Sequence, residues 1–269
     1  MDRDVTSFNT RLRTIKIREL FVGILLALII TFILGEFFPI IDMNDDLYMI
    51  ILLTCVLIFF IFCLIGTTGF KNNISNLFVD KTQKEIFYVF IINLLFAYAF
   101  LFFIVVLDFL FGMSDPTWTS VIDIDSVDME ASAVLFSIIA SLIFAPILEE
   151  LIFRGVLFNR LKVKTGIIPA MLISSFLFGI GHDFGSMTSA FLFGICMCIL
   201  YLKTDNILVP MSVHFINNAV AIVLETTYID YFLTQFPGII LLGLIVMIAA
   251  VLLIKYIVDE TTILKKTYS

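Results

Sequence analysis

The chain contains 269 residues, of which 61% are hydrophobic and only 14% are charged. A soluble domain contains about 45–50% apolar and about 25% charged residues, so this composition excludes a soluble globular protein. The net charge of −7 without a basic patch argues against nucleic-acid binding, and four cysteines that all lie in apolar segments are typical of buried thiols rather than of a disulfide framework.

Eight apolar segments predict an all-α, polytopic membrane protein. A bilayer core about 30 Å thick requires roughly 20 apolar residues per helix. The predicted spans are 20–41, 47–65, 86–111, 131–153, 167–182, 188–202, 207–224 and 238–257, of which the fifth and sixth are the shortest. The transmembrane domain at 20–257 is therefore flanked by a basic N-terminal segment at 1–19 and a tail at 258–269.

The charged residues alternate between successive loops. All 16 Lys and Arg residues lie in the N-terminal segment, in the loops after the second, fourth and sixth spans, or at the C-terminal end. The loops between them carry acidic side chains instead, above all the long loop at 112–129. Because cytoplasmic loops collect Lys and Arg, this pattern predicts a multi-pass protein of the cell membrane with both termini in the cytoplasm.

The fourth span ends with two adjacent carboxylates, Glu149 and Glu150, followed by Arg154. Ionisable residues inside a membrane span are costly and are candidates for functional residues. On a helix Glu150 and Arg154 are four residues apart with the acid N-terminal, which favours an ion pair between them. Glu149 points about 100° away from Glu150, so it is available for a different role.

The chain contains only two histidines, and both lie in predicted spans. His182 ends the fifth span, and His214 lies in the seventh, with Asn218 one turn later on the same helix face. With a rise of about 1.5 Å per residue, these three side chains and Glu149 come to overlapping depths in the bilayer. We therefore predict an intramembrane polar cavity that holds all four.

Glutamate, histidine and asparagine side chains in one cavity are suited to peptide hydrolysis. In this interpretation Glu149 is a general base that removes a proton from water, with help from His182. His214 and Asn218 donate hydrogen bonds to the oxyanion that forms when the water attacks a peptide carbonyl. Glu150 and the arginine that follows it would be a supporting structural pair.

Two other chemistries use the same residue types. A zinc site would take His182, His214 and Glu149 as ligands, although the H-E-x-x-H motif of metalloproteases is absent. Serine catalysis would use Ser186 or Ser212, but the chain has no G-x-S-x-G motif.

Three motifs in order carry a resemblance to a known family. They are E-E-x-x-x-R at Glu149, Glu150 and Arg154, F-x-x-x-H at Phe178 and His182, and H-x-x-x-N at His214 and Asn218. Within 131–224 this arrangement resembles the CAAX protease and bacteriocin-processing family, which includes the Rce-type prenyl endopeptidases and the bacterial Abi proteins.

The resemblance implies an eight-helix intramembrane glutamate protease without a metal cofactor. Glu149 and His182 would activate water, and His214 and Asn218 would form the oxyanion site. The expected function is an endopeptidase that hydrolyses membrane-associated peptides or precursors, in bacterial peptide maturation, bacteriocin processing or self-immunity. Its expected partners are a peptide or protein substrate, the lipid bilayer and another membrane protein.

A non-proteolytic function is the alternative. The protein would then be a membrane immunity or regulatory protein that binds a peptide or a sensor kinase and keeps the motifs for packing. A small-molecule transporter is disfavoured, because the intramembrane polar groups cluster in one region and no inverted repeat is visible.

Overall fold

The computed structural model describes residues 6–42, 45–111, 131–227, 229–235 and 238–268, and within these ranges it contains helices and no β-strand. The α-helices are α1 (Phe8–Thr14), α2 (Ile17–Phe37), α3 (Pro39–Asp42), α4 (Asp45–Leu64), α5 (Phe70–Leu77), α6 (Asp80–Ala97), α7 (Ala99–Phe111), α8 (Ala131–Ile139), α9 (Ala145–Glu149), α10 (Asn159–Thr165), α11 (Ile167–Gly179), α12 (Met187–Thr204), α13 (Leu208–Thr226), α14 (Ile229–Thr234) and α15 (Gly238–Tyr268). Two π-helical segments, π1 (Ala140–Phe144) and π2 (Glu150–Phe158), join α8, α9 and α10 into one continuous helical rod.

Six helical segments of the described chain are long and apolar enough to cross a membrane. They are Ile17–Phe37, Leu47–Leu64, Asp80–Phe111, Leu135–Thr165, Met187–Thr204 and Gly238–Thr267. Two shorter apolar helices, Ile167–Gly179 and Leu208–Leu224, fall on the fifth and seventh predicted spans. The prediction of an all-α, multi-pass membrane protein is therefore confirmed, and a number of about eight spans is consistent with these helices.

The short helices differ in part from the ones that the sequence indicates. The sixth span is a full-length helix, whereas the seventh is short. The fifth ends at Gly179 instead of reaching His182, because two glycines, which are poor helix formers, lie at its end. The acidic loop predicted at 112–129 lies outside the described residues.

Helix α12 lies at the centre of the bundle. Its residues from Phe193 to Tyr201 are all buried, so it is enclosed on every side. Helix α11 approaches it so closely that a Cβ atom at Gly194 would lie 2.9 Å from the Cβ atom of Ser175. Cys196 and Cys198 are free thiols within this core, as their apolar surroundings in the sequence predicted.

The N-terminal helix α1 packs beneath the rod formed by α8 to α10. Ser7 caps α1 by accepting a hydrogen bond from the backbone N–H of Thr10 at 3.3 Å. Leu12 is completely buried, and a Cβ atom at Gly155 of π2 would lie 2.9 Å from its Cδ1 atom. Arg160 of α10 donates hydrogen bonds to the carbonyl oxygens of Thr14, the last residue of α1, and of Ile15, the latter at 2.7 Å. The segment before the first span is thus part of the packed core.

Substitution of Leu12 by alanine is expected to lower the free energy of unfolding by about 2–5 kcal/mol, because the surrounding core cannot fill the space that the side chain leaves. The measurement is unfolding of the purified protein in detergent, followed by circular dichroism. Leu25→Ala on the exposed surface of α2 is the matched control and should change stability by at most about 0.5 kcal/mol. Equal effects of the two substitutions would show that α1 is not a packed part of the folded protein.

Candidate active site

Glu149 lies in a short α-helical segment between two π-helical segments. In π1 the hydrogen bonds run from residue i to residue i−5, as in the bond from Ala145 N–H to Ala140 O. The next donor in this register would be residue 146, which is a proline and has no N–H. The carbonyl oxygen of Ser141 therefore needs a donor from elsewhere. Local π-helical geometry is frequent at functional sites.

Asn218 of α13 supplies this donor. Its Nδ2 atom donates a hydrogen bond to the carbonyl oxygen of Ser141 at 2.9 Å. The contact joins α13 to the rod immediately before Glu149, and it uses one of the two N–H groups of the amide. The sequence predicted that Asn218 donates a hydrogen bond to an oxyanion. Its bond to the Ser141 carbonyl depends on the π-helical register and could not be predicted from the sequence.

Glu150 and Arg154 form a completely buried ion pair. The Nη1 atom of Arg154 donates to Oε1 of Glu150 at 3.1 Å, and both side chains have no exposed surface. The i,i+4 pair that the sequence predicted is therefore present. The same Oε1 atom also lies 3.1 Å from Nδ1 of His214, which gives Glu150 a partner that the spacing of residues could not reveal.

His214 lies between the two adjacent carboxylates. Its Nδ1 atom faces Glu150, and its Nε2 atom lies 3.8 Å from Oε2 of Glu149. An ion-paired carboxylate only accepts hydrogen bonds, so Nδ1 carries the hydrogen and the ring is held with Nε2 towards Glu149. Glu150 is buried, whereas the Glu149 side chain is 31% exposed. The two glutamates thus have different environments, which their positions on the helix predicted.

His182 follows the end of α11 and is half-buried. Its Nδ1 atom lies 2.8 Å from the carbonyl oxygen of Phe178, one helical turn earlier. Because a carbonyl oxygen only accepts, Nδ1 carries the hydrogen and Nε2 remains for a second partner. Among the described residues, Glu149 has an ion-pair contact with His214 but none with His182.

The ring of Phe178 connects the histidines and the arginine. It lies 4.6 Å from the His182 ring and 5.9 Å from the His214 ring between centroids. The guanidinium carbon of Arg154 lies 4.3 Å from the same ring, a cation–π contact. Phe193 of α12 also packs edge-on against His214 at 5.3 Å. The sequence placed Phe178 in a motif with His182, but neither phenylalanine was among the predicted site residues.

The cation–π contact matters because the ion pair leaves part of the arginine without hydrogen bonds. Among the described residues, the Nε and Nη2 atoms of Arg154 and the Oε2 atom of Glu150 are buried and have no hydrogen-bond partner. The face of the Phe178 ring therefore provides electrostatic stabilisation for a charge that one carboxylate oxygen does not fully satisfy.

A cavity of about 350 Å³ lies beside Glu149, between the rod and helices α2 and α4. Its lining residues are Ile24, Leu52, Leu53, Val56, Ala140, Ser141, Ala145, Leu148, Glu149 and Ile152. Eight of these ten are partly exposed, so the cavity opens to the surroundings of the protein. Glu149 is the only ionisable residue among them, so the cavity is mostly apolar. His182, His214 and Asn218, which were predicted to share a polar cavity with Glu149, do not line it.

The described residues contain no group of three or more His, Cys, Asp or Glu side chains arranged to hold a metal ion. Within that part of the chain, the two histidines face different partners: the backbone of α11 for His182 and the two glutamates for His214.

Comparisons with known proteins match the part of the chain that forms this site. The family model described as type II CAAX prenyl endopeptidase Rce1-like matches residues 131–220. We call this matched segment the Rce1-like core. This core is about a third of the chain and contains every residue of the three motifs, so the family resemblance is confirmed.

Two curated relatives are similar to part of this chain. "Putative membrane peptidase YdiL" of Bacillus subtilis (strain 168) is 38% identical over 104 residues, which are 38% of this chain and 43% of the relative. "Membrane-embedded CAAX protease MroQ" of Staphylococcus aureus (strain USA300) is 31% identical over 90 residues, which are 31% of this chain and 36% of the relative. The matches thus span less than half the length of either relative, and no solved structure matches the chain significantly.

Proposed function

We propose that this protein is an intramembrane endopeptidase that hydrolyses membrane-associated peptides or precursors with water activated by Glu149. Its main support is the position of this carboxylate. Glu149 lies at the wall of an open apolar cavity, and its Oε2 atom is 3.8 Å from the Nε2 atom of His214. A substrate carbonyl in the cavity would meet Glu149 as the general base, and His214, which does not line the cavity, would act from the side of the buried Oε2 atom.

In this mechanism Glu149 takes a proton from a water molecule as the water oxygen attacks the peptide carbonyl. The proton then passes from Glu149 to the leaving amine, which completes the hydrolysis and restores the carboxylate. Glu149 is suited to this role because it is the more exposed of the two glutamates, whereas Glu150 is sealed inside the bundle. His182 would hold the water through Nε2, since its Nδ1 atom is occupied by the Phe178 carbonyl.

His214 would stabilise the oxyanion. Glu150 holds the ring through Nδ1, and Nε2 faces Glu149. In this role His214 would carry a hydrogen on both ring nitrogens, and together with Arg154 it would balance the charges of Glu149 and Glu150. A neutral cluster avoids the large cost of an unbalanced charge in a low-dielectric interior, and it places a cationic donor where negative charge develops. The second N–H of Asn218 would add a neutral donor.

The remaining expectations follow from the same site. We propose that no metal or other cofactor is required, that both termini are cytoplasmic, and that the substrates are peptides or precursors in bacterial maturation, bacteriocin processing or self-immunity. The names of the two relatives, a membrane peptidase and a membrane-embedded CAAX protease, support the reaction class.

The purified protein in liposomes should cleave one or more peptides from the membrane fraction of cells that express the Glu149→Gln variant. New peptide termini are identified by mass spectrometry. With the identified peptide, cleavage in the presence of hydroxylamine should yield a free carboxylic acid, since direct attack by water forms no acyl-enzyme. Activity should also survive exhaustive chelation.

Each component of this mechanism has an outcome that contradicts it. A hydroxamate at the new C-terminus would indicate a covalent acyl-enzyme intermediate instead of direct attack by water. Loss of activity on chelation with recovery on zinc addition would indicate a metal site. If no peptide is cleaved while the Glu149→Gln variant keeps the cellular phenotype of the wild type, the protein is a non-proteolytic binding protein.

A further inference from the structure

The cavity beside Glu149 has two walls of different origin. One wall belongs to the rod and lies within the Rce1-like core. The other consists of Ile24 on α2 and of Leu52, Leu53 and Val56 on α4, all of which lie outside the matched segment. We call these four residues the outer wall. The carboxylate is thus part of the shared core, while the shape of the space in front of it is set by helices that the family match does not include.

We propose that the outer wall is the specificity pocket of the enzyme and takes a bulky apolar side chain of a peptide, on a residue next to the scissile bond. This inference rests on the proposed function. The cavity volume of about 350 Å³ is at the lower end of the range for ligand sites, which suits a side chain rather than a folded segment of substrate.

The chemistry of the walls selects an apolar occupant. The outer wall has only aliphatic side chains, so a polar or charged group placed there would lose its hydration without gaining a partner. The one charged group, Glu149, would repel an acidic side chain, and a basic side chain would pair with the carboxylate that is needed as a base. A large aliphatic or aromatic side chain buries apolar surface and leaves Glu149 free.

The position of the cavity selects the residue next to the scissile bond. A carbonyl under attack must lie within one water molecule of Glu149, and Leu52, Leu53 and Glu149 line the same cavity. A side chain that fills the cavity therefore belongs to a residue directly adjacent to the bond that is cut. The pocket would thus contribute to orientation of the carbonyl as well as to selection of the substrate.

The test uses two peptides that differ only at this residue, one with phenylalanine and one with alanine. Leu53→Trp fills the cavity and should lower kcat/KM for the phenylalanine peptide by about 10- to 100-fold, with little change for the alanine peptide. Leu53→Ala enlarges the cavity and should still cleave the phenylalanine peptide. Ile58→Trp is the matched control, because Ile58 is exposed on the same helix and does not line the cavity, and it should leave both values unchanged.

A binding measurement separates this inference from the proposed function. A peptide with a photoreactive benzophenone side chain at the same position is cross-linked to the Glu149→Gln variant, and the attachment site is mapped by mass spectrometry. Attachment at Ile24, Leu52 or Leu53 supports the pocket even if no cleavage is ever observed. If Leu53→Trp cleaves both peptides with the wild-type preference, or if the cross-link forms elsewhere, the proposed pocket is wrong. The proposed endopeptidase function is not affected by either result. The proposed pocket is also wrong if Leu53→Trp lowers kcat/KM only for peptides that carry a lipid group, because the lipid would then occupy the cavity.

Discussion

Replacement of Glu149 by glutamine is expected to lower kcat for peptide cleavage by about 100- to 10,000-fold, the range for loss of a general base. Glutamine has nearly the same shape and can still accept a hydrogen bond, but it cannot take a proton from water. The cavity wall and the neighbouring rod should therefore remain in place. The measurement is single-turnover cleavage of the identified peptide in liposomes, which reports the chemical step rather than substrate binding.

Glu36→Gln provides the matched control for this substitution. Glu36 is an exposed glutamate at the end of α2, outside the cavity and the Rce1-like core. The control should cleave the peptide at the wild-type rate, and both variants should unfold at the wild-type temperature. A Glu149→Gln variant that kept more than about a tenth of the wild-type rate would show that another group activates the water.

Replacement of Arg154 by methionine is expected to lower the free energy of unfolding by about 3–5 kcal/mol, as is typical when one partner of a buried ion pair is removed. The Glu150 carboxylate would remain in the interior with only His214 as a partner. The cation–π contact with Phe178 would be lost as well. Stability is measured by unfolding of the purified protein in detergent.

The double variant Glu150→Gln with Arg154→Met tests the electrostatic cause. The double variant removes both charges of the pair, so no unpaired carboxylate is left at position 150. Its free energy of unfolding should therefore fall less than that of Arg154→Met alone. Lys164→Met on the exposed end of α10 is the control for loss of a surface charge and should cost at most about 1 kcal/mol. If Arg154→Met were as stable as this control, the pair would have no structural role.

Together the two predictions distinguish a catalytic role for Glu149 from a structural role for Glu150. Replacement of Glu149 should abolish activity and leave the free energy of unfolding unchanged. Replacement of Arg154, the partner of Glu150, should mainly lower the free energy of unfolding. If both replacements lowered activity and the free energy of unfolding to the same extent, the separate roles that the different burial of Glu149 and Glu150 indicates would be wrong.

Several properties of this protein could be predicted from the sequence, because they depend on local composition and spacing. The apolar segments predicted the membrane-spanning helices, since the thickness of the bilayer demands their length. The i,i+4 spacing predicted the ion pair of Glu150 and Arg154, since neighbouring turns of a helix bring such side chains together. Three short motifs in order predicted the family.

Other features depend on contacts between distant parts of the chain. The bond from His214 to Glu150 and the bond from Asn218 to the Ser141 carbonyl join residues 64 and 77 positions apart, and neither partner carries a local signal for the other. The contact of Leu12 with Gly155 likewise makes the N-terminal segment part of the core, although its basic residues alone suggested only a cytoplasmic tail.

Sequence alone therefore determined that this chain resides in a membrane and which polar side chains it places there, because hydrophobicity and helical periodicity are properties of short segments. Only the tertiary structure decided that Glu149 faces an open apolar cavity while Glu150 is sealed behind it, and that α2 and α4 form the outer wall. These outcomes depend on how the helices pack, and packing is a property of the whole chain.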